Sequence, residues 1–217
     1  MEIPGCLVPY GTIASSKSNP TLKQRIREAA FTTFMEKGYA GTNTREIAAR
    51  AKVSKRELYA LYADKQAMLA DCIRFKSERA RQPLPLEPVQ EMPALRSALE
   101  AYGTSFLTEL TKPTVVAVYR LAVLEAHRSP HVVRTLNALG KEANTQNLAR
   151  FLRQAQKAKL LRPGNPTTMA RQFRALLWGD TMLSQLLGTE EALSPQEARK
   201  RAKEAVEALL RLHGMHG

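Results

Sequence analysis

The chain has 217 residues, of which 44% are apolar and 6% aromatic, a composition typical of a packed helical protein rather than a disordered one. Its 33 Lys and Arg residues outnumber its 20 Asp and Glu residues, and the net charge of +13 favours an anionic partner, either nucleic acid or an acidic membrane surface. Cys6 and Cys72 lie far apart without a partner cluster, which argues against a disulfide scaffold or a zinc site and favours a reducing cytoplasm. No signal-peptide pattern opens the chain, and Arg120 interrupts the longest apolar run, so neither secretion nor a membrane span is expected.

The first 20 residues contain prolines, glycines and a polar run, which predicts a flexible arm. Lys17 would give this arm a role on phosphate or in a minor groove, and an untethered tail is the alternative. Thr21 is then placed to cap a helix that runs to about Lys37 and stops at Gly38.

Residues 42–65 have the pattern of two short capped helices joined by a tight turn. Asn43 and Glu46 form one candidate capping box, and Ser54 and Glu57 form a second one shortly after the first helix ends. Small and apolar side chains at helical spacing provide a compact seam between the two helices. This pattern predicts a helix-turn-helix.

The exposed side of the second helix has Lys55, Arg56 and Tyr59, with no acid other than the capping glutamate. Hydrogen-bond donors and a flat ring on one helix face suit the major groove of DNA. The alternative is an ordinary solvated face. Two consecutive capping boxes around a short turn favour the DNA-binding interpretation.

The rest of the chain also has a helical pattern. Asp64 is placed to cap a helix to about Arg81, and four prolines within residues 82–93 mark a boundary between two domains. No strand pattern is sustained, so the predicted fold class is all-α. Further helices are expected near residues 94–111, 113–128, 130–160, 166–187 and 195–213, each with a proline near its start. The third of these is expected to break near Gly140.

The run GYAGTNTREIAARAKVSKRELYALYADKQAML resembles the DNA-binding domain of the TetR family of bacterial transcriptional regulators, and the resemblance covers residues 22–72. It implies a three-helix helix-turn-helix domain at residues 21–66, after the arm at residues 1–20. Residues 67–217 would form a helical ligand-binding and dimerisation domain that includes the connecting helix. The matching positions are Ala29, Ala30, Phe34, Gly38, Tyr39, Thr42, Ile47, Ala48, Val53, Ser54, Leu58, Tyr59, Tyr62 and Lys65.

Three positions depart from the family pattern. Lys52 replaces the glycine usual in the turn, and a lysine there must accept a left-handed backbone or a different turn. Arg56 replaces a common glycine of the recognition helix, and its bidentate donors suit guanine. Leu61 stands where a His or Tyr often contacts phosphate. Operator preference is expected to depend on these three positions.

The segment YRLAVLEAHRSPHVVRTL, followed later by WGDTML, resembles the AefR-like ligand-binding domains within the same family. The resemblance implies an inducer-binding, dimerising core. The last two predicted helices would form the dimer interface, through Leu176, Leu183, Leu186, Leu187, Ala205, Leu209 and Leu212. Candidates for lining a pocket for a small hydrophobic effector, with plain core packing as the alternative for each, are Tyr102, Phe106, Tyr119, Phe173, Trp178 and Met182.

Glu125 and Asp180 lie in mostly apolar helical stretches, where a buried carboxylate needs a partner. A cationic lipophilic ligand is one candidate partner. An internal arginine is the other, from Arg120, Arg128 or Arg174.

His127 and His131 are four residues apart, but Pro130 interrupts the helix between them, so no metal site is expected. Cys72 is followed by basic residues that would activate a sensing thiolate, and a buried, inert thiol is the alternative. No nucleophile elbow, phosphate-binding glycine loop or catalytic carboxylate pair is found, so neither catalytic residues nor a cofactor are expected.

The expected function is that of a ligand-responsive transcriptional repressor. It would bind a palindromic operator in double-stranded DNA as a cytoplasmic homodimer and be released by a small hydrophobic molecule. The alternative is a basic all-helical adaptor that binds a protein or an acidic membrane surface. Expected base contacts come from Lys55, Arg56 and Tyr59, and expected phosphate contacts from Thr42, Thr44 and Lys65.

Overall fold

A computed structural model describes residues 20–79, 84–85 and 87–215. Within these residues the chain forms eleven α-helices, one π-helix and no strand, apart from an isolated bridge between Leu161 and Gly214. The predicted all-α fold class is confirmed. The predicted arm lies outside the described residues except for its last residue.

The first four helices are α1 (Leu22–Gly41), α2 (Thr44–Ala51), α3 (Lys55–Leu61) and α4 (Lys65–Arg79). Their starts follow the capping signals of the sequence. Thr21 and Ser54 each form a full capping box, with Gln24 and Glu57 respectively. Asn43 caps α2 differently from the predicted box, because its side chain accepts from the Arg45 amide at 2.8 Å.

The turn between α2 and α3 is braced from α1. Lys52 adopts the left-handed conformation, with φ of 53° and ψ of 50°, which is one of the two outcomes expected for a lysine in place of glycine. The Arg25 guanidinium donates to the Ala51 and Lys52 carbonyls at 3.1 and 2.8 Å. The turn is therefore held by a helix outside the helix-turn-helix itself.

A polar cluster ties the end of the recognition helix to α1 and α4. The Tyr62 hydroxyl donates to the Asp71 carboxylate at 2.7 Å, and that carboxylate lies 3.4 Å from the charged groups of Arg27 and Lys23. Buried polar groups that are hydrogen-bonded in this way fix the relative orientation of the helices that supply them.

The second half of the chain departs from the predicted helices at two places. At the break predicted near Gly140 the chain forms a π-helix, Asn137–Glu142. The single helix predicted for residues 166–187 is wrong, because Gly179, with φ of 50°, divides it into two helices. The observed elements are α5 (Met92–Leu110), α6 (Pro113–Glu125), α7 (Pro130–Leu136), the π-helix, α8 (Ala143–Lys157), α9 (Pro166–Trp178), α10 (Thr181–Leu187) and α11 (Pro195–His213).

Two apolar cores hold these helices together. The larger one packs α5, α8, α9 and α11 around side chains such as Leu99, Leu148 and Phe173. The second core contains the buried faces of α1 to α4 and also Leu121 of α6 and Val132 of α7. The half formed by α1 to α4 therefore shares a core with two helices of the second half, across the predicted domain boundary.

Helices that combine the length and the hydropathy needed to cross a bilayer do not occur among the described residues.

Candidate DNA-binding surface and effector cavity

The recognition helix α3 is anchored by one side and exposed on the other. Leu58 is 1% exposed in the second core, whereas Lys55 and Arg56 are exposed and Tyr59 is 42% exposed. The Tyr59 and Thr44 hydroxyls lie 3.2 Å apart, which links the middle of α3 to the first turn of α2. Four of the predicted DNA contacts thus lie together on one outward-facing surface.

The charges near this surface are not equivalent. Lys37 and Arg50 are neutralised by ion pairs with Glu46 and Glu36, at 2.6 and 2.5 Å. In the described part of the chain, neither Lys55 nor Arg56 takes part in an ion pair. Their positive charges remain available to an anionic partner.

Leu61, at the end of α3, is 43% exposed and has no polar group for a phosphate.

Thr42 faces inward, which corrects its predicted role on phosphate. Its side chain is buried, and the hydroxyl donates to the Gly38 carbonyl at 2.6 Å. Sequence periodicity does not reveal this orientation, because Thr42 follows the kink at Gly38, where the backbone leaves the helical conformation. Thr42 therefore closes the end of α1.

Lys65 is also engaged within the protein. Its ammonium donates to the carbonyls of Tyr39 and Thr42 at 2.7 and 3.1 Å and lies 4.4 Å from the centre of the Tyr39 ring. Partial burial lowers the pKa of Lys65, and the charge of Glu125 opposes that effect. The contacts assign Lys65 to the C-terminal end of α1, and a phosphate would have to compete with these carbonyls.

A cavity of about 70 Å³ lies between the two halves of the molecule. It is bounded by α4, α5, α6, α7, the π-helix, α8 and α9. Because α4 follows the helix-turn-helix directly, one wall of the cavity belongs to the DNA-binding half. The lining residues are Ile73, Lys76, Phe106, Glu109, Leu110, Val115, Val118, Tyr119, Leu136, Gly140, Lys141, Asn144 and Arg174.

A more polar groove of about 760 Å³ adjoins the cavity. Cavity and groove share Tyr119, Lys141 and Arg174, and Trp178 lies on the groove side. The π-helix contributes to both, which matches the frequent occurrence of π-helical turns at functional sites.

Only half of the predicted pocket residues reach these spaces. Phe106, Tyr119 and Trp178 line the cavity or the groove, as predicted. Tyr102 and Phe173 instead pack behind them in the larger core, with ring centres 6.3 Å apart. Met182 is buried on α10 and lines neither space. The sequence pattern could not separate these groups because all six side chains lie on apolar helix faces.

The charged lining of the cavity was missed at the sequence level. Lys76, Lys141 and Arg174 line it, whereas the sequence pattern suggests Arg174 only as a partner for a carboxylate. The available signal was a single arginine within the apolar face of a helix.

The two carboxylates that prompted that expectation have other environments. Asp180 is exposed, so its predicted burial is wrong. Glu125 is 5% exposed, and its Oε1 accepts the Ala40 amide proton at 3.0 Å. Burial raises the pKa of Glu125, but the Ala40 amide, the Ser129 hydroxyl and the Tyr39 amide together lower it below the ordinary carboxyl value. Glu125 binds the end of α1, and neither a ligand nor an arginine side chain is its main partner.

Cys72 matches the inert alternative. It is 2% exposed, and burial, with a smaller contribution from Asp71, raises the pKa of its thiol to about 12. His131 packs edge-on against the Tyr39 ring, with ring centres 4.9 Å apart, whereas His127 is exposed. No cluster of metal-binding side chains occurs among the described residues.

The predicted dimer residues separate into two groups. Leu176, Leu183, Leu187 and Leu212 are 41%, 61%, 70% and 55% exposed, and we call these four the apolar face. Ala205 and Leu209 are 4% and 0% exposed within the chain's own core, so their predicted place in the interface is wrong. Leu186 is partly buried.

The recognition helix is exposed and basic, and a three-helix unit braces it. This unit is joined to a helical domain, and a cavity lies between the two. These features define a helix-turn-helix DNA-binding protein with a second, regulatory domain. A profile described as "Bacterial regulatory proteins, tetR family" matches residues 26–72, and one described as "AefR-like transcriptional repressor, C-terminal domain" matches residues 97–214. The chain therefore belongs to the TetR family of transcriptional regulators, with an AefR-like C-terminal domain.

Solved structures agree with this assignment. The Flavonoid-responsive Regulator FrrA is 28% identical with a TM-score of 0.76, over 90% of this chain and 98% of that one. A TetR transcriptional regulator from Agrobacterium tumefaciens is 26% identical with a TM-score of 0.76, over 89% and 95% of the two chains. A TetR family regulator from Pseudomonas syringae pv. tomato, 24% identical with a TM-score of 0.70 over 89% and 97%, shares the fold. A search of curated protein sequences found no match.

Proposed function

We propose that the protein is a homodimeric transcriptional repressor that binds a palindromic operator and is released by a small hydrophobic effector. The single observation that supports DNA binding best is that Lys55 and Arg56, which form no ion pair with any described residue, are exposed on a helix whose opposite side is anchored in the core. A dimer would place two such helices in successive major grooves of one DNA face. As a regulator without a catalytic role, it would act in the bacterial cytoplasm, where its operator lies.

Base recognition would rest on Lys55, Arg56 and Tyr59, and Thr44 would contact phosphate beside the start of α2. Thr42 and Lys65 would support this surface from behind through their contacts with the end of α1. This division assigns sequence preference mainly to Arg56, because a bidentate guanidinium pair with guanine discriminates by about 1–3 kcal/mol for each base pair.

The test is the Arg56→Ala variant, measured on operator DNA and on random DNA of equal length. Loss of the bidentate pair should weaken operator binding by about tenfold or more and random-sequence binding much less. Arg199→Ala, which removes the same charge from an exposed site on α11, is the matched control. Equal losses on both DNAs for Arg56→Ala would refute its role in specificity.

The apolar face would form the dimer interface. Four leucines on α9, α10 and α11 are each more than 40% exposed, and exposed apolar patches commonly mark protein contacts. Pairing of these last helices with a second copy would bury the face and fix the distance between the two recognition helices.

Effector release would act through the cavity walls. The cavity is smaller than the roughly 300–1,000 Å³ typical of sites for drug-sized ligands, so an effector must move its walls apart. Two of those walls lead to the DNA-binding half: α4 through Ile73, and α6 through Val118 and Tyr119. The end of α6 then holds Ala40 through Glu125. Displacement of α4 or α6 would shift the recognition helix and favour a dimer spacing that does not fit the operator.

The lining supports an effector with an aromatic or otherwise apolar body, because Phe106, Val118 and Tyr119 are among the residues that line the cavity. The likeness to the flavonoid-responsive regulator also supports an aromatic compound as the effector.

A further inference from the structure

We propose that the effector is an anion, with an acidic group on an aromatic body, and that Arg174 binds the acidic group. This inference rests on the proposed function of the cavity as the effector site. It concerns the charge of the ligand, which the apolar pattern of the sequence did not address.

Arg174 is a buried cation without a counter-charge. It is 7% exposed, and its Nη1 donates to the Lys141 carbonyl at 2.8 Å and to the Thr145 hydroxyl at 2.5 Å. Its Nε is buried without a hydrogen-bond partner, and Arg174 forms no ion pair with any described residue. A buried charge that lacks an opposite charge is costly, and a ligand carboxylate would remove that cost.

Arg174 lines both the cavity and the groove, so its side chain lies at the junction of the two spaces. It lies 5.1 Å from the centre of the Phe106 ring and 6.0 Å from that of Trp178, so aromatic faces hold it in place. The Trp178 Nε1 donor is also buried without a partner. An acidic group between α9 and the π-helix would therefore meet a fixed guanidinium and a second unused N–H donor.

The other charged groups of the site do not offset Arg174. Lys76 and Lys141 add positive charge to the lining. The two carboxylates in the walls are bound elsewhere: Glu109 pairs with Lys112, and Glu142 lies 3.9 Å from Arg171. The site is cationic, which argues against a cationic lipophilic effector.

The experiment uses two probes that share one aromatic scaffold. 8-Anilino-1-naphthalenesulfonate is an anion, and N-phenyl-1-naphthylamine is the same scaffold without the sulfonate. Both are titrated into the full-length protein, where energy transfer from Trp178, the single tryptophan of the chain, reports binding and the cavity variants locate it.

Arg174→Met should weaken binding of the sulfonate by about tenfold or more, because a charge-assisted contact is lost, and leave the neutral probe within about twofold of wild type. The affinity of Arg174→Lys for the sulfonate should lie between those of wild type and Arg174→Met, since lysine keeps the charge without the planar guanidinium. Lys141→Met, at an exposed position, should weaken binding of the sulfonate only, and by less than Arg174→Met does. Arg211→Met, 83% exposed on α11, should change neither probe.

Equal losses for both probes in Arg174→Met and Lys141→Met would overturn the charge inference and leave the cavity as an effector site. Absence of energy transfer from Trp178 for both probes with the wild-type protein would overturn the cavity proposal as well. Near-ultraviolet circular dichroism of each variant separates loss of packing from loss of a contact, and the Lys141→Met result decides the question if Arg174→Met does not fold.

Discussion

Replacing Glu125 with alanine tests how the two halves of the molecule are joined. Glu125 is buried at the end of α6, and its Oε1 accepts the Ala40 amide proton at 3.0 Å. Gly38, whose φ is 74°, lies so close that a Cβ placed there would be 3.2 Å from the same oxygen. The carboxylate is therefore fitted to the end of α1.

The expected cost follows from the kind of bond that is lost. A hydrogen bond to a charged group contributes about 1.5–3 kcal/mol, and part of this is recovered because the buried charge disappears with it. We expect Glu125→Ala to lower the free energy of unfolding by about 1–3 kcal/mol, which corresponds to roughly 2–4 °C in melting temperature for each kcal/mol in a chain of this length.

The pH dependence gives a second, independent readout. The folded-state pKa of Glu125 is lowered from 4.5, so its contribution is fully present above that value and is lost as the pH falls through the folded-state pKa. The difference in unfolding free energy between wild type and Glu125→Ala should be constant from about pH 6 to 8 and shrink as the pH falls below about 4.5.

Urea unfolding followed by circular dichroism at pH 7.5 and at about pH 3.5, below the ordinary carboxyl pKa, measures both effects. Glu190→Ala, at an exposed site, is the control and should change stability by no more than about 0.5 kcal/mol. The reasoning fails if the two variants are equally stable at pH 7.5, or if the cost of Glu125→Ala is the same at every pH. Weaker operator binding by Glu125→Ala with unchanged probe binding would further support the joint between α6 and α1.

Two further predictions concern single sites. Lys52→Gly should raise the free energy of unfolding by about 0.5–1 kcal/mol, because glycine relieves a left-handed backbone at some cost in chain entropy, and an unchanged or lower value would contradict this. In a Cys6→Ser background, Cys72 should react with iodoacetamide at pH 8 only as fast as the protein opens, because burial raises the pKa of its thiol to about 12. Alkylation at the rate of a free thiol in the folded protein would restore the sensing hypothesis.

The sequence predicted those features that depend on neighbouring residues. Ser54 and Glu57 define the start of the recognition helix, and a proline at the first turn fixes the start of α11 at residue 195, as predicted. The left-handed turn at Lys52 was one of two stated outcomes. These features involve contacts over three or four residues, which a pattern can contain.

Features set by distant parts of the chain were not predictable in the same way. The break at Gly179 was missed because the helical pattern continues on both sides of it. The inward orientation of Thr42 depends on the kink at Gly38, and the charge of the cavity depends on Lys76 of α4 and Arg174 of α9 lining the same space. Residues nearly 100 positions apart supply that charge, and no local pattern relates them.

The central claim is that this chain binds DNA in a sequence-dependent way as a dimer. Selection of bound sites from random double-stranded DNA by the full-length protein, at about 150 mM salt so that nonspecific phosphate binding is weakened, tests it most directly. The account predicts enrichment of an inverted repeat whose half-sites lie on one face of the duplex, and loss of the enriched sequence with Arg56→Ala. Recovery of unrelated sequences with no shared motif would contradict it.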